Sequence, residues 1–292
     1  MGNFLRAQNR DIEVEQLQKF VQTYDYVSGD FMWTGIDYLG EARWPYKLAV
    51  SGVLDTCGFA KDGYYFYQSQ WSERPVLHLF PHWNWAGHED EIVVVRCYTN
   101  CDTVELFLNG RSMGVKGYAF PRPGMVKQWG TYPDRAKALQ TTADLHLSWD
   151  VPYRAGTLRA VGTKDGQVVS TFEVKTTGEP AAVRLTGDRD LIESGGGDVA
   201  HVKVEIVDRD GLLVPTAANE VLFKLRGEGR IIGVDNGQPD SVESYQGDRR
   251  KAFNGLALVL LQSQARPGSM TLTATSAGLA SSEIRIEVAD RG

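Results

Sequence analysis

Three side chains near the start of the chain, Trp33, Asp37 and Glu41, have types and a spacing that suit a sugar-binding site. An indole face can stack on the C–H face of a pyranose ring, and carboxylates accept hydrogen bonds from its hydroxyl groups. The run from Asp30 to Trp33 predicts a short buried strand that leads into a Gly-rich loop, as at the pocket of an α/β barrel. The alternative is that Trp33 belongs to a core and that Asp37 caps a turn.

Three histidines, His78, His82 and His88, are candidates for metal ligands. A strand that continues into a Pro-containing loop does not place the first two on one face, and no carboxylate completes an obvious ligand set. We therefore predict that these are structural histidines, and that the chain holds neither a metal ion nor a cofactor.

Three aspartates, Asp208, Asp210 and Asp235, lie close to glycines and suggest calcium ligands. The pattern Asp-x-Asp-Gly lacks the remaining ligand positions of a calcium-binding loop, and it also occurs where a hairpin turn is expected. We predict turns at these positions.

Composition excludes several classes of protein. The chain has 292 residues, a formal net charge of −6 and three cysteines. It has no basic run that could neutralise a phosphate backbone, which argues against binding of nucleic acid. It also has no apolar run of about 18 residues, so we predict no membrane-spanning helix. Three cysteines are too few for a disulfide framework, and we predict that all three are small buried side chains.

The first 73 residues have an α/β pattern. Apolar side chains at helical spacing predict a helix over residues 11–25 and an aromatic helix over 63–72, with the strand that ends at Trp33 between them. Because one strand cannot form a sheet, we interpret residues 1–73 as the incomplete last segment of a (β/α)8 barrel.

From Arg74 the apolar period changes to two. Strands at this spacing predict an immunoglobulin-like β-sandwich over 74–177, and seven further strands predict a second one over 178–292. The fold class is therefore mainly β, with two sandwiches preceded by a barrel remnant. A long loop, 116–143, is rich in proline and aromatic residues, and we expect its Trp129 and Tyr132 to fold back towards the barrel mouth or a neighbouring subunit.

The N-terminal stretch resembles a known family. Met1-Gly2-Asn3 and Gly29-Asp-Phe31-Met-Trp33-Thr-Gly-Ile-Asp37-Tyr-Leu-Gly-Glu41 are similar to the end of the catalytic barrel in glycoside hydrolase family 2, the β-galactosidase family. Further motifs occur in the same order as in two β-sandwich domains appended in one bacterial branch: Tyr67-Gln-Ser-Gln-Trp71, His82-Trp-Asn-Trp85, Val104-Glu-Leu-Phe-Leu-Asn-Gly110, Trp149-Asp-Val-Pro-Tyr153 and Val234-Asp-Asn-Gly237.

The resemblance implies a retaining exo-glycosidase, which uses two glutamates about 5–5.5 Å apart. In the family both lie upstream of the positions matched here, so no residue of this chain is assigned a catalytic role, and we expect the chain alone to be inactive. The resemblance assigns Trp33 as the floor of the sugar subsite, with Asp37 and Glu41 as further substrate-binding candidates. Family β-glucuronidases carry an Asn-x-Lys clamp for the sugar carboxylate, and none occurs between Gly35 and Gln70. A neutral sugar, first of all a galactoside, is therefore expected.

Two alternatives stay open at this point. The sandwiches could form a non-catalytic carbohydrate-binding module, or a purely structural or interaction scaffold that braces the barrel or a homo-oligomer. The family also leads us to expect a periplasmic or secreted protein, although the compartment is unknown. If the barrel segment lacks its neighbours, its apolar face should be covered by a second copy, repacked onto the sandwich at 74–177, or poorly ordered.

Overall fold

The computed structural model describes residues 14–15, 17–19, 21–22, 26–118 and 145–290. The chain divides into two compact units. Unit 1 comprises Met1–Gly35 and Ala60–Thr176, and unit 2 comprises Ile36–Phe59 and Thr177–Gly292. Each unit is built mainly from β-strands, which confirms the predicted fold class. The assignment of residues 1–73 to a barrel stays a prediction.

The strands follow one another closely along the chain. The first nine are β1 (Tyr38–Leu39), β2 (Leu48–Ala49), β3 (Leu77–Phe80), β4 (Ile92–Thr99), β5 (Thr103–Leu108), β6 (Arg111–Gly117), β7 (Leu147–Pro152), β8 (Thr157–Lys164) and β9 (Gln167–Lys175). The others are β10 (Ala182–Gly187), β11 (Leu191–Glu193), β12 (Val199–Val207), β13 (Glu220–Gly227), β14 (Gly229–Asp235), β15 (Arg249–Lys251), β16 (Leu256–Ser263), β17 (Gly268–Thr275) and β18 (Ser282–Ala289). A helix, α1, spans Asp62–Trp71.

Unit 1 contains a sandwich of two antiparallel sheets. One sheet has the strand order β3-β4-β7 and the other has the order β6-β5-β8-β9. Side chains alternate strictly between buried and partly buried along β5, as expected for a strand with one face on a core. The core includes Trp83, which is fully buried and donates its indole N–H to the Arg154 carbonyl at 2.8 Å. This agrees with the predicted sandwich, except that the sequence had not indicated β6.

Helical segments flank the sandwich within unit 1. The described residues from 14 to 22 are helical, in agreement with the predicted helix over 11–25, whose other residues lie outside the described part. Helix α1 confirms the second predicted helix. Its Phe66 packs with Phe80, Tyr98 and Leu145, which joins the helix to the three-stranded sheet. Among the described residues, no helix is both long enough and apolar enough to cross a membrane.

Unit 2 contains a second sandwich. Its sheets have the orders β10-β12-β16-β14 and β11-β18-β17-β13-β15, and all of their pairs are antiparallel except β11 with β18. The seven predicted strands are present. The sequence missed β11 and β15, because three residues are too few to display an alternating pattern. The core between the sheets is aliphatic, with Val202, Val204, Leu261 and Leu272 almost completely buried.

The buried strand predicted over 30–33 is wrong. These described residues form no strand, and the side chains of Phe31 and Trp33 are 99% and 71% exposed. A strand needs a hydrogen-bonded neighbour, and the apolar run supplies only the side-chain pattern. Repacking of these two side chains onto the sandwich at 74–177 is therefore not observed, while cover by a second copy stays a prediction.

Residues 119–144 lie outside the described residues, and with them Trp129 and Tyr132 and most of the loop 116–143. Residues 36–59 were interpreted as part of the barrel segment, and in the structure they belong to unit 2.

Candidate functional site

Trp33 presents an accessible indole. Its side chain is 71% exposed, and the peptide bond between Trp33 and Thr34 is cis. Trp33 belongs to unit 1. An exposed indole of this kind has the area and the apolar face needed to stack on a sugar ring.

Asp37 is placed differently, since its side chain is only 5% exposed. The carboxylate oxygen Oδ1 accepts the backbone N–H of Gly52 at 2.8 Å, and the Asp37 N–H donates to the Leu54 carbonyl at 2.9 Å. The backbone of Gly52 comes so close that an added Cβ would lie 2.3 Å from the Asp37 nitrogen. Asp37 therefore holds the segment 36–59 in its folded form, and its contact with a substrate stays a prediction.

Glu41 is exposed at the turn that follows strand β1. Its carboxylate accepts a hydrogen bond from the Tyr38 hydroxyl, and its backbone has φ +48°. Strands β1 and β2 pair as a short hairpin, with Tyr38 opposite Ala49 and Leu39 opposite Leu48. The Glu41 carboxylate is therefore both oriented and open to solvent, as a group that binds sugar hydroxyls must be.

Two hydrogen bonds attach the segment 36–59 to the C-terminal part of unit 2. The Lys47 N–H donates to the Pro239 carbonyl at 2.9 Å, and the Thr56 hydroxyl donates to Asp235 Oδ2 at 2.6 Å. The Lys47 ammonium also lies 4.2 Å from the centre of the Tyr245 ring. The segment that carries Asp37 and Glu41 is therefore fixed to unit 2 at the end of strand β14 and at residues 239 and 245 of the loop that follows this strand.

Arg250 is the charged side chain beneath this attachment. It is fully buried and donates from Nη2 to Asp235 Oδ1 at 2.9 Å and to Asn236 Oδ1 at 3.0 Å. Its Nη1 reaches the carbonyls of Glu243 and Ser244 at 3.3 and 3.4 Å. A buried guanidinium is stable only when paired and hydrogen-bonded, so this arginine determines where Asp235 points.

Cys57 lies near two carboxylates, those of Asp235 and Asp55. Burial raises the pKa of the Cys57 thiol, and the neighbouring Asp235 and Asp55 raise it further. A thiol in this environment stays protonated and is a poor nucleophile. Cys97 and Cys101 are buried, as predicted, whereas Cys57 is only partly buried, and none of the three forms a disulfide.

The candidate metal ligands have structural partners instead. His78 Nε2 lies 2.8 Å from Asp62 Oδ1, and its ring stacks on Tyr65 with 3.8 Å between centroids. His82 accepts the N–H of Asn84 on Nδ1 and stacks on Trp85. The described residues contain no group of three or more histidine, cysteine or acidic side chains that could hold a metal ion.

The three aspartates considered for calcium also differ from one another. Asp208 accepts the backbone N–H groups of Asp210 and Leu212, as expected for the predicted turn. The turn predicted at Asp235 is wrong, because Asp235 is the last residue of strand β14. Its carboxylate pairs with Arg250 and accepts the Thr56 hydroxyl. The motif Val234-Asp-Asn-Gly237 was the only sequence signal at this place, and nothing in it indicated Arg250 or Thr56.

Comparison with known proteins identifies the family. Residues 183–285 match the model described as glycoside hydrolase family 2 C-terminal domain 5, and residues 90–170 match one described as a domain of unknown function, DUF4982. Over 276 residues, 93% of this chain, the sequence is 41% identical to the β-galactosidase BoGH2A of Bacteroides ovatus. The chain belongs to glycoside hydrolase family 2. Within that family it corresponds to a C-terminal region.

Two further proteins are similar to this chain, one in structure and one in sequence. A crystal structure of a β-glycosidase from Bacteroides vulgatus superposes with a TM-score of 0.78 at 36% identity, covering 89% of this chain and 31% of that one. A β-glucuronidase of Formosa agariphila is 27% identical over 87% of this chain and 24% of its own length. The chain spans 30% of the length of the Bacteroides ovatus enzyme.

Proposed function

We propose that this chain is the C-terminal part of a retaining exo-glycosidase that hydrolyses terminal β-galactosides or a related neutral sugar. The observation that carries the proposal is the 41% identity to a β-galactosidase over 93% of the chain. The catalytic glutamates are expected in the preceding barrel, so the role of this chain is to supply binding groups and support.

A galactoside is favoured over a glucuronide by one observation: the segment from Gly35 to Gln70 has no Asn-x-Lys motif to bind a sugar carboxylate. A cationic clamp is what recognition of a glucuronate would require. Sequence identity does not separate the two substrates, because the chain is 41% identical to the β-galactosidase of Bacteroides ovatus and 36% identical to a putative β-glucuronidase of Formosa agariphila.

Within this proposal the candidate residues have separate roles. Trp33 stacks on the sugar ring, which its 71% exposure permits. Glu41, exposed and oriented by Tyr38, accepts hydrogen bonds from sugar hydroxyls. Asp37 supports the segment on which Glu41 lies, through its bonds to Gly52 and Leu54.

The direct test uses the full-length parent enzyme and nitrophenyl glycosides. We expect hydrolysis of the β-galactoside to exceed that of the β-glucuronide, and Trp33→Ala to lower kcat/KM by at least about tenfold, since about 1.4 kcal/mol of lost binding gives that factor. Trp71→Ala is the matched control, because it removes another indole of unit 1 that is 64% exposed. Equal effects of the two substitutions, or a preference for the glucuronide, would contradict the proposal.

A second test addresses the chain by itself. The purified 292-residue chain should not hydrolyse nitrophenyl β-galactoside, because none of its residues is assigned a catalytic role. The preparation must be free of host β-galactosidase, which a host strain lacking that gene ensures. Hydrolysis by this preparation would refute the expectation that the catalytic glutamates are not part of this chain.

A further inference from the structure

The segment 36–59 is folded mostly onto itself. Ile36 forms a parallel bridge with Leu54, and strand β1 pairs with strand β2. Asp37 is bonded to both Gly52 and Leu54, so the position of Asp37 depends on the chain around residue 54. Whatever fixes residues 54–56 therefore also fixes Asp37 and, through the hairpin, the turn with Glu41.

Residues 54–56 are fixed from the sandwich side. Thr56, two residues after Leu54, donates its hydroxyl to Asp235. Asp55 Oδ1 accepts the N–H groups of Cys57 and Phe59 at 2.8 and 2.9 Å, which closes the turn that contains Thr56. Gly237 lies so close that an added Cβ would be 2.1 Å from Asp55 Oδ2. The turn is therefore both hydrogen-bonded to the loop 235–237 and packed against it.

The loop 235–237 is in turn determined by one buried cation. Arg250 binds the carboxylate of Asp235 and the side-chain carbonyl of Asn236, and it has no exposed surface. Asn236 Nδ2 donates to the Lys251 carbonyl at 2.9 Å, which ties the same loop to strand β15. Asp235, whose Oδ2 accepts the Thr56 hydroxyl, is thus held through its Oδ1 from inside the sandwich.

We propose that Arg250 and Asp235 are positioning residues, which act through Thr56 to hold the segment 36–59, with Asp37 and the proposed substrate-binding residue Glu41, in one conformation. The claim about substrate rests on the proposed function, whereas the claim about the segment does not. In this view the C-terminal sandwich contributes to hydrolysis without touching the sugar, because a preorganised site loses less conformational entropy on binding.

The test begins with the 292-residue chain and a substitution that spares the sandwich core. Thr56→Val removes only the hydroxyl donor, and Thr56→Ser keeps it. Thr273→Val is the matched control, since the Thr273 hydroxyl makes a similar bond, 2.7 Å, to Glu283 Oε1 on strand β18. Amide hydrogen exchange is measured at Asp37 and Gly52, and at Val202 and Val204 in strand β12 as an internal reference.

We expect Thr56→Val to accelerate exchange at Asp37 and Gly52 by about tenfold or more, the effect of losing one hydrogen bond to a charged group. Exchange in strand β12 should not change. Thr56→Ser should stay within about twofold of the unsubstituted chain. Equal protection of Asp37 and Gly52 in the Thr56→Val and Thr273→Val variants would overturn the proposal.

The same variants in the full-length enzyme separate positioning from simple support. Thr56→Val should raise KM for the nitrophenyl glycoside with an unchanged thermal midpoint, while Thr56→Ser and Thr273→Val should behave as the parent. Faster exchange without a change in KM would overturn the role in substrate binding. If the parent hydrolyses no nitrophenyl glycoside, the proposed function fails, and the exchange results still decide whether Asp235 and Thr56 hold the segment.

Discussion

The Glu15 carboxylate lies 2.8 Å from His146 Nδ1, and both side chains are buried although 131 residues separate them in the chain. The other carboxylate oxygen of Glu15 accepts the Leu145 N–H at 3.1 Å. These two bonds join the helical residues near 15 to the chain just before strand β7. Unit 1 therefore includes its N-terminal helical segment as a fixed part of the sandwich.

Loss of Glu15 should destabilise unit 1. Glu15→Ala leaves the buried His146 ring and the Leu145 N–H without their acceptor, and we expect the free energy of unfolding to fall by about 3 kcal/mol. Urea unfolding monitored by tryptophan fluorescence measures it, since Trp83 and Trp149 are buried in this unit. The control is Glu173→Ala, which removes an exposed partner of Lys175 and should change stability by less than about 0.5 kcal/mol. Similar losses for both variants would show that the buried pair contributes little.

Removal of the Arg250 side chain should destabilise unit 2 more than removal of an exposed charged side chain does. Arg250→Met leaves Asp235 and Asn236 without their buried donor, at a cost of about 3–5 kcal/mol. Arg249→Met is the neighbouring control, because the Arg249 side chain is 59% exposed and forms a surface ion pair with Asp248. Circular dichroism in a urea series gives both values. The prediction fails if the two variants unfold at the same urea concentration.

Asp208 should make unit 2 sensitive to acid. Burial raises its pKa, but the N–H groups of Gly178, Leu212 and Asp210 outweigh this effect, so the folded-state pKa lies below the usual 3.8. The carboxylate therefore stabilises the fold fully above pH 3.8, and this contribution is lost as the pH falls from there through the lowered pKa.

The test compares Asp208→Asn with the unsubstituted chain across this pH range. The variant should be less stable by about 1–2 kcal/mol at neutral pH, and the difference should shrink in acid. Asp210→Asn, an exposed neighbour in the same turn, serves as the control and should leave the pH profile unchanged. A stability difference between the two proteins that stays constant down to the lowest pH measured would contradict the lowered pKa of Asp208.

Gly237 should tolerate no side chain. Its φ of +70° already disfavours other residues, and a Cβ would overlap Asp55, whose carboxylate is held by two backbone N–H groups. Gly278 has φ +75° with open space around it, so Gly278→Ala measures the backbone strain alone. We expect Gly278→Ala to cost about 1 kcal/mol and Gly237→Ala about 1–3 kcal/mol more. Thermal unfolding measures both, and equal midpoints would contradict the close approach.

Most strands of both sandwiches could be predicted because each presents one face to a core, which the largely exposed β6 does not. Buried and partly buried side chains therefore alternate along β5, and a similar pattern occurs along much of β12 and along β17. The period of two is written in the local sequence, so it needs no knowledge of the partner strand. The short strands β11 and β15 depend on their neighbours instead, and they left no local signal.

The candidate site was predicted less completely than the strands. Trp33, Asp37 and Glu41 were found by side-chain chemistry and by resemblance, but their exposure could not be predicted. The apolar run before Trp33 indicated a buried strand, whereas Phe31 is 99% exposed. Burial depends on what packs against a segment, and one chain segment contains no information about that by itself.

By itself, the sequence determined the fold class, the two sandwiches and the family, because these depend on local periodicity and on short motifs in order. Only the tertiary structure decided that residues 36–59 belong with the C-terminal unit, and that Asp235 binds both Arg250 and Thr56. Thr56 and Asp235 lie 179 positions apart in the chain. A bond between such distant residues results from how the sheets pack, and no local pattern of residue types specifies it.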